Sequence, residues 1–155
     1  SNRGLEDLFL EQVDVVSFNL YPGWYGKYPD NAYPMDEVLP AIRDRVKRVR
    51  ARGLAAKPFI ISEIGAGAIY GWRDAVNGIW TEEYQEELLR QVCEEAVRNE
   101  NIAGLALWQF HDSRTYQGRR ALSRPRAFNN KGTLDEYRRP KKACARVKKI
   151  FRGAP

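Results

Sequence analysis

The chain has 155 residues, of which 43% are hydrophobic and 12% aromatic, including four Trp and eight Tyr; this is too apolar for a disordered segment and suits one core of modest extent. The formal charge of +6 is uneven: residues 1–113 carry 12 basic and 18 acidic side chains, and residues 114–155 carry 14 and 2. That basic stretch reads as a solvated surface helix with one or two functional cations, because no zinc-finger spacing, ribonucleoprotein motif or basic helix with heptads accompanies it to argue for nucleic acid.

The opening residues do not read as a signal peptide, and no apolar run is long enough to span a bilayer. Cys93 and Cys144 have neither metal-ligand spacing nor the company of a disulfide scaffold, and each falls within an amphipathic helical pattern.

Taken in chain order, residues 5–12 suit a short helical turn, and VDVVSFNLY at 13–21 a buried strand. The segment from Pro22 to Pro34 holds three Pro and two Gly and reads as loop. Asp36 is the expected N-cap of a helix reaching about Arg52, with Val38, Ile42, Val46 and Val49 at helical spacing and Gly53 ending it. KPFIISEIG at 57–65 is a second, near-continuously apolar strand. A long loop follows it. Thr81 then caps a helix to about Asn99, with Tyr84, Leu88, Val92 and Ala96 on one face and Glu82 and Glu83 at its positive end. IAGLALWQFHD at 102–112 is a third strand, and its loop runs to Arg139. Pro140 opens the last helix, striped by Ala143, Val147 and Ile150 or Phe151. Strand, loop and helix three times over predict parallel βα units. Functional groups of such units gather in the loops after the strands.

Glu63 sits near the C-terminal end of the second strand, where a carboxylate costs desolvation energy unless it is paired or hydrogen-bonded. Asn19, Tyr21, Trp24 and Tyr25 follow the first strand, and Trp108, His111 and Asp112 the third. Aromatic rings around a carboxylate suit the apolar faces of a sugar, and the polar groups suit its hydroxyls. His111 either contacts a sugar or satisfies a local partner such as Asp112. No second His or carboxylate cluster supports a metal.

Five segments, in order, resemble those of β-glucuronidases of glycoside hydrolase family 2. FNLYPGWYG at 18–26 is similar to the segment after their sixth barrel strand, and KPFIISEIGAGAIYG at 57–71 to the one bearing their nucleophile. WTEEYQEELL at 80–89, ALWQFHD at 106–112 and FNNKGTLDEYRRPKKAC at 128–144 match later segments. The resemblance implies an α/β fold, the C-terminal part of a (β/α)8 TIM barrel with three βα units matching strands six to eight, and it treats residues 1–155 as one portion of that catalytic domain.

By the same resemblance Glu63 is the nucleophile and Tyr21 orients it. Asn19, Trp24, Tyr25 and Trp108 contact the sugar, with His111 beside them, and Asn129 and Lys131 recognise the carboxylate of glucuronic acid. Leu20, Pro22, Ile64, Gln109 and His111 depart from the family's usual residues, which bears on aglycone and linkage and not on the reaction class. The family's acid/base follows the fourth strand, and so lies outside this chain. Asn99-Glu100 repeats the family's letters but precedes the third strand, at the end of the units remote from the site.

The implied activity is retaining hydrolysis of β-D-glucuronides by a complete protein that includes an N-terminal remainder, with no cofactor and no membrane partner. The isolated chain is expected to be inactive, and to cover its open sheet edges by self-association or by a folded-back terminus. A β-galactosidase-like hydrolase of neutral sugars and a silent carbohydrate- or nucleic-acid-binding module are the alternatives.

Overall fold

A computed structural model describes residues 4–26, 34–116, 118, 121 and 123–154. Residues 27–33 of the expected first loop, and 117, 119, 120 and 122 of the third, lie outside the described residues. The chain divides into two compact units, one formed by Ser1–Ile64 with Gln91–Leu107 and the other by Gly65–Arg90 with Trp108–Pro155.

The first unit is built on a three-stranded parallel sheet, β1 (Val16–Asn19), β2 (Phe59–Ile64) and β3 (Gly104–Leu107), in the order β1-β2-β3. Val16, Phe18, Phe59, Ile61 and Ile64 are buried, as expected of a sheet rich in β-branched and aromatic residues. The helix α1 (Val38–Val49) buries Val38, Ile42, Val46 and Val49, the predicted stripe. Arg43 on α1 forms a fork on the Glu95 carboxylate, with its closest contact at 2.7 Å. Arg43 is largely exposed, so solvent screens this pair and it adds little to stability.

Two expectations in this unit are corrected. Asp36 is not an N-cap: Pro34–Glu37 forms a 3-10 turn that runs directly into α1, and Glu37 occupies the cap without a side-chain hydrogen bond. Proline fixes φ near helical values and lacks an N–H, which suits the start of such a turn. The first strand is also shorter than the apolar run from residue 13. Val13 and Val15 are exposed and precede it, and the Glu11 and Val13 carbonyls accept hydrogen bonds from Lys57 Nζ at 2.7 Å each. Past α1 the chain continues as a π-helical segment, Arg50–Leu54, in which Gly53 takes φ 81°. That left-handed value favours glycine and accounts for the predicted stop.

The second unit contains a loop-rich structure that apolar patterning did not reveal. β4 (Ser113–Arg114) pairs antiparallel with β5 (Phe128–Asn129), and single bridges join Ala68 to Trp80 and Leu134 to both His111 and Pro140. The third strand therefore ends at Leu107, well short of the expected Asp112. Thr81 caps α2 (Glu82–Arg98) as predicted, its hydroxyl accepting from Tyr84 N–H at 3.1 Å and donating to Gly78 O at 2.7 Å. Pro140 does not open the last helix. It belongs to the bridge with Leu134, and α3 (Lys142–Arg152) begins two residues later with Lys141 at its N-cap. Cys93 is buried and Cys144 half-buried, both on helices, and burial pushes the Cys93 thiol up to about 12. That thiol is neutral and inert at ordinary pH.

Gly65, which follows β2, is sterically required. A Cβ at this position would lie 2.1 Å from the Trp108 backbone oxygen, a contact that only a backbone shift can relieve. Gly65→Ala is expected to lower stability by about 1–3 kcal/mol or more. Gly78→Ala, whose Cβ would meet only Asp74 Oδ2 at 3.6 Å, should change it by less than about 1 kcal/mol. Thermal melts of the two variants check the contrast.

Candidate active site

The residues singled out from the sequence fall into two groups, one in each unit. In the first unit, the position of Glu63 depends on an irregularity in β2. Pairing with β1 runs Val16 to Phe59, Ser17 to Ile60 and Phe18 to Ile61, then skips Ser62 so that Asn19 pairs with Glu63. A bulge of this kind shifts the alternation of faces by one residue. Phe59 and Ile61 are buried, and strict alternation would place Glu63 in their row. Instead Ser62 and Glu63 are both half-buried and Ile64 returns to the core. The bulge thus releases a carboxylate from the fully buried row, where it would carry a large desolvation cost.

The loop after β1 supplies the partners. Tyr21 OH donates to Glu63 Oε2 at 2.8 Å, Ser62 Oγ donates to Asn19 Oδ1 at 2.8 Å, and Leu20 N–H donates to the Glu63 carbonyl at 2.8 Å. Side chain and backbone of Glu63 are therefore both held by residues 20 and 21. Tyr25 meets Tyr21 edge-on, ring centroids 5.1 Å apart, and Trp24 meets Tyr25 at 6.4 Å. Tyr25 is 55% exposed, so this aromatic cluster is partly open to solvent beside a hydrogen-bonded carboxylate.

In the second unit the group centres on a buried turn, residues 129–132. Asn129, Asn130, Lys131 and Gly132 are all buried. Gly132 again has no room for a side chain: a Cβ there would lie 2.3 Å from Asp112 N and 2.3 Å from Leu134 O. Asn129 Oδ1 has no hydrogen-bond partner among the described residues, leaving a desolvated acceptor of the kind that a ligand hydroxyl can satisfy. Trp108 is 40% exposed, and its peptide bond to Gln109 is cis. Gln109 Nε2 donates to Ser113 Oγ at 2.9 Å. His111 Nδ1 lies 2.7 Å from the backbone oxygen of Asp112, so of the two expectations for this residue the local partner is observed, on the main chain and not the carboxylate.

Lys141 and Gln85 were not assigned roles from the sequence, and Asp112, expected beside a sugar or as the partner of His111, is instead buried against Lys141. Lys141, expected on a solvated basic surface, is 2% exposed; its ammonium donates to Ala68 O at 2.6 Å, Asp112 Oδ1 at 2.8 Å and Asn130 O at 3.0 Å. Asp112 Oδ1 also accepts from Gly132 N–H at 2.9 Å. Gln85 Nε2 donates to the carbonyls of Ala66 and Gly132 at 2.9 and 3.0 Å. Burial pushes the Asp112 carboxyl up to about 6, against the opposing pull of Lys141, and burial likewise lowers Lys141. The signal that could have exposed this pair is the Pro140-Lys141 step: a lysine held behind a proline at the mouth of a helix, unlike those on its outer face.

Among the described residues, no group of three His, Cys, Asp or Glu side chains is placed to hold a metal ion, and no helix is long and apolar enough to cross a membrane.

Comparison with known proteins draws these observations together. The family model described as "Glycosyl hydrolases family 2, TIM barrel domain" matches residues 5–154. A β-glucuronidase of Sus scrofa is 33% identical over 142 residues, covering 90% of this chain and 20% of its own length. A β-glucuronidase of Paenibacillus borealis is 36% identical over 133 residues, covering 84% and 20% respectively. Among solved structures, a β-galacturonidase from Eisenbergiella tayi bound to galacturonate superposes with a TM-score of 0.83 at 39% identity, covering 96% of this chain and 25% of that one. The chain thus spans about a fifth of the length of the curated relatives it matches.

Proposed function

Because the chain belongs to the family 2 glycosyl hydrolases, as part of their TIM barrel domain, we propose that it carries the nucleophile and the uronate-recognition residues of a retaining β-D-glucuronidase-like enzyme. The observation that carries this reading is the 2.8 Å hydrogen bond from Tyr21 to Glu63 Oε2 at the end of β2. It fixes one oxygen of the carboxylate, and a positioned carboxylate is what nucleophilic catalysis at an anomeric carbon uses.

In this mechanism Glu63 attacks the anomeric carbon as the glycosidic C–O bond breaks. The leaving oxygen takes its proton from a second carboxyl group, which retaining enzymes hold about 5–5.5 Å from the nucleophile. Water, deprotonated by that same group, then attacks the anomeric carbon and releases Glu63. The second carboxyl comes from outside residues 1–155 in this proposal, since Glu100 follows α2 and precedes β3. Trp24, Tyr25 and Trp108 offer ring faces to the sugar, Asn19 and His111 polar contacts, and Asn129 with Lys131 meets the substrate carboxylate. No cofactor has a part in these steps.

A β-D-galacturonide is a second reading, favoured by the 39% identity to the galacturonidase. Both sugars present the carboxylate that Lys131 would pair with. Neutral sugars do not, which counts against the galactosidase-like alternative. Proton NMR of the first product formed from aryl β-D-glucuronide, β-D-galacturonide and β-D-glucoside tests the proposal. The complete enzyme should release the β anomer first and prefer a uronide to the glucoside by at least about tenfold in kcat/KM. Initial release of the α anomer would refute the retaining mechanism, and a preference for the glucoside would refute uronate recognition.

The isolated 155-residue chain should show no turnover of an activated aryl glucuronide, because a second copy supplies another Glu63 and no acid/base. The outer strands β1 and β3 each have β2 as their only sheet partner among the described residues. Unpaired strand edges are templates for association, so the chain should either form assemblies larger than a monomer by light scattering or fold a terminus over the edges, and a monomer with freely exchanging edge amides would contradict both. Turnover by the isolated chain that disappears in Glu63→Gln would contradict the assignment of the acid/base.

A further inference from the structure

The turn that bears Asn129 and Lys131 is held by its main chain, and the groups that hold it are buried side chains from three separate segments. Gln85, on α2, donates to the Gly132 carbonyl. Asp112 accepts from the Gly132 N–H. Lys141, at the mouth of α3, donates to the Asn130 carbonyl and to Asp112. Two backbone bonds complete the frame, Ala68 N–H to Asn130 O at 2.9 Å and Gln109 N–H to Lys131 O at 3.0 Å. The peptide groups on both sides of Lys131 are thus pinned.

From this we infer that Gln85, Asp112 and Lys141 form a positioning unit for Lys131, setting the location of its ammonium and hence the selectivity for a uronic acid. The inference rests on the proposed role of Lys131. Two features separate the unit from ordinary core packing. First, it uses a fully buried ion pair, Lys141 to Asp112 at 2.8 Å with both side chains at 0% exposure, where apolar residues of similar volume are often as stabilising. Second, each of the three residues makes one hydrogen bond to a carbonyl or amide of Asn130 or Gly132, the residues on either side of Lys131. A charge-assisted hydrogen bond is about twice as strong as a neutral one, so a displacement of about 1 Å in the turn costs more for a carboxylate than for a neutral hydroxymethyl group.

A double-mutant cycle in the complete enzyme, run on an aryl β-D-glucuronide and the matching glucoside, tests the inference. Asp112→Asn should lower kcat/KM for the glucuronide at least about tenfold, mainly through KM, with a loss on the glucoside at least about fivefold smaller. In a Lys131→Ala background the same substitution should cost the glucuronide less than about threefold, because the cation it positions is gone. Gln85→Leu introduces no unpaired charge and should repeat the pattern at about threefold to tenfold, which keeps the test decisive if Asp112→Asn does not fold. Equal losses on both substrates, additive with Lys131→Ala, would make the three residues structural only and overturn the inference. Lys131→Ala losing the glucuronide selectively while neither other variant does so would overturn the positioning role and leave the uronate reading intact. A Lys131→Ala substitution that costs both substrates equally would remove the uronate reading, and the inference with it.

Discussion

Replacing Glu63 by glutamine in the complete enzyme is expected to lower kcat for an aryl glucuronide by at least about a hundredfold, or about 2.7 kcal/mol in activation free energy, as loss of a nucleophile demands. Glutamine preserves the shape of the side chain and its amide oxygen can still accept the hydrogen bond that Tyr21 gives at 2.8 Å, so folding and sugar binding are expected to survive. What disappears is the charge that, in the proposed mechanism, attacks the anomeric carbon. KM should change by less than about threefold, because the substitution removes an interaction made chiefly in the transition state. Stopped assays at saturating substrate read this directly, and turnover within about tenfold of the parent would mean that another group attacks.

Truncation of Lys131 to alanine carries the second largest expected effect, and it is a selective one. Lys131 is 4% exposed on a turn whose neighbours are all buried, so a substrate carboxylate brought to it would be desolvated. Removing the cation leaves that charge without its partner, a loss of about 2–5 kcal/mol, or about 30-fold to 4,000-fold in kcat/KM. The matching glucoside brings no charge, and its loss should stay within about fivefold. Comparing the two specificity constants in parent and variant checks this. Equal losses would assign Lys131 to the structure of the turn.

The parts of the fold written in local pattern were legible from sequence. The stripe of Val38, Ile42, Val46 and Val49 and the Thr81 cap are set by neighbours within one or two turns of chain and are found as expected, and each of the three apolar runs contains a strand, shorter than the run itself. What was not legible depends on contacts distant in sequence. The two-residue strands β4 and β5 have no periodicity to read, because their pairing is decided by how the loop closes on itself. The end of the third strand at Leu107 was invisible for a related reason: the apolar and aromatic run continues through Trp108 and Phe110 while its hydrogen bonds turn to Lys131, Thr133 and Leu134.

The site shows the same division. Residue type and strand-end position, together with family resemblance, singled out Glu63 and Tyr21, and the structure brings their side chains into hydrogen bonding. The bulge that skips Ser62 was hidden, since alternation alone would have put Glu63 in the buried row. Lys141 was misread as part of a solvated basic stretch because net charge cannot distinguish a lysine on a helix surface from one whose ammonium is surrounded by Asp112 and two carbonyls.

Covalent trapping gives the most direct test of Glu63 as nucleophile. A 2-fluoro β-D-glucuronide with an activated leaving group slows formation and hydrolysis of the glycosyl ester, and its reactive leaving group lets the ester accumulate. Peptide mass mapping of the inactivated complete enzyme should find one fluoroglucuronyl group per chain, on Glu63 in the segment FIISEIGAG, and none in Glu63→Gln. A label on any other residue, or enzyme inactivated with Glu63 unmodified, would contradict the assignment.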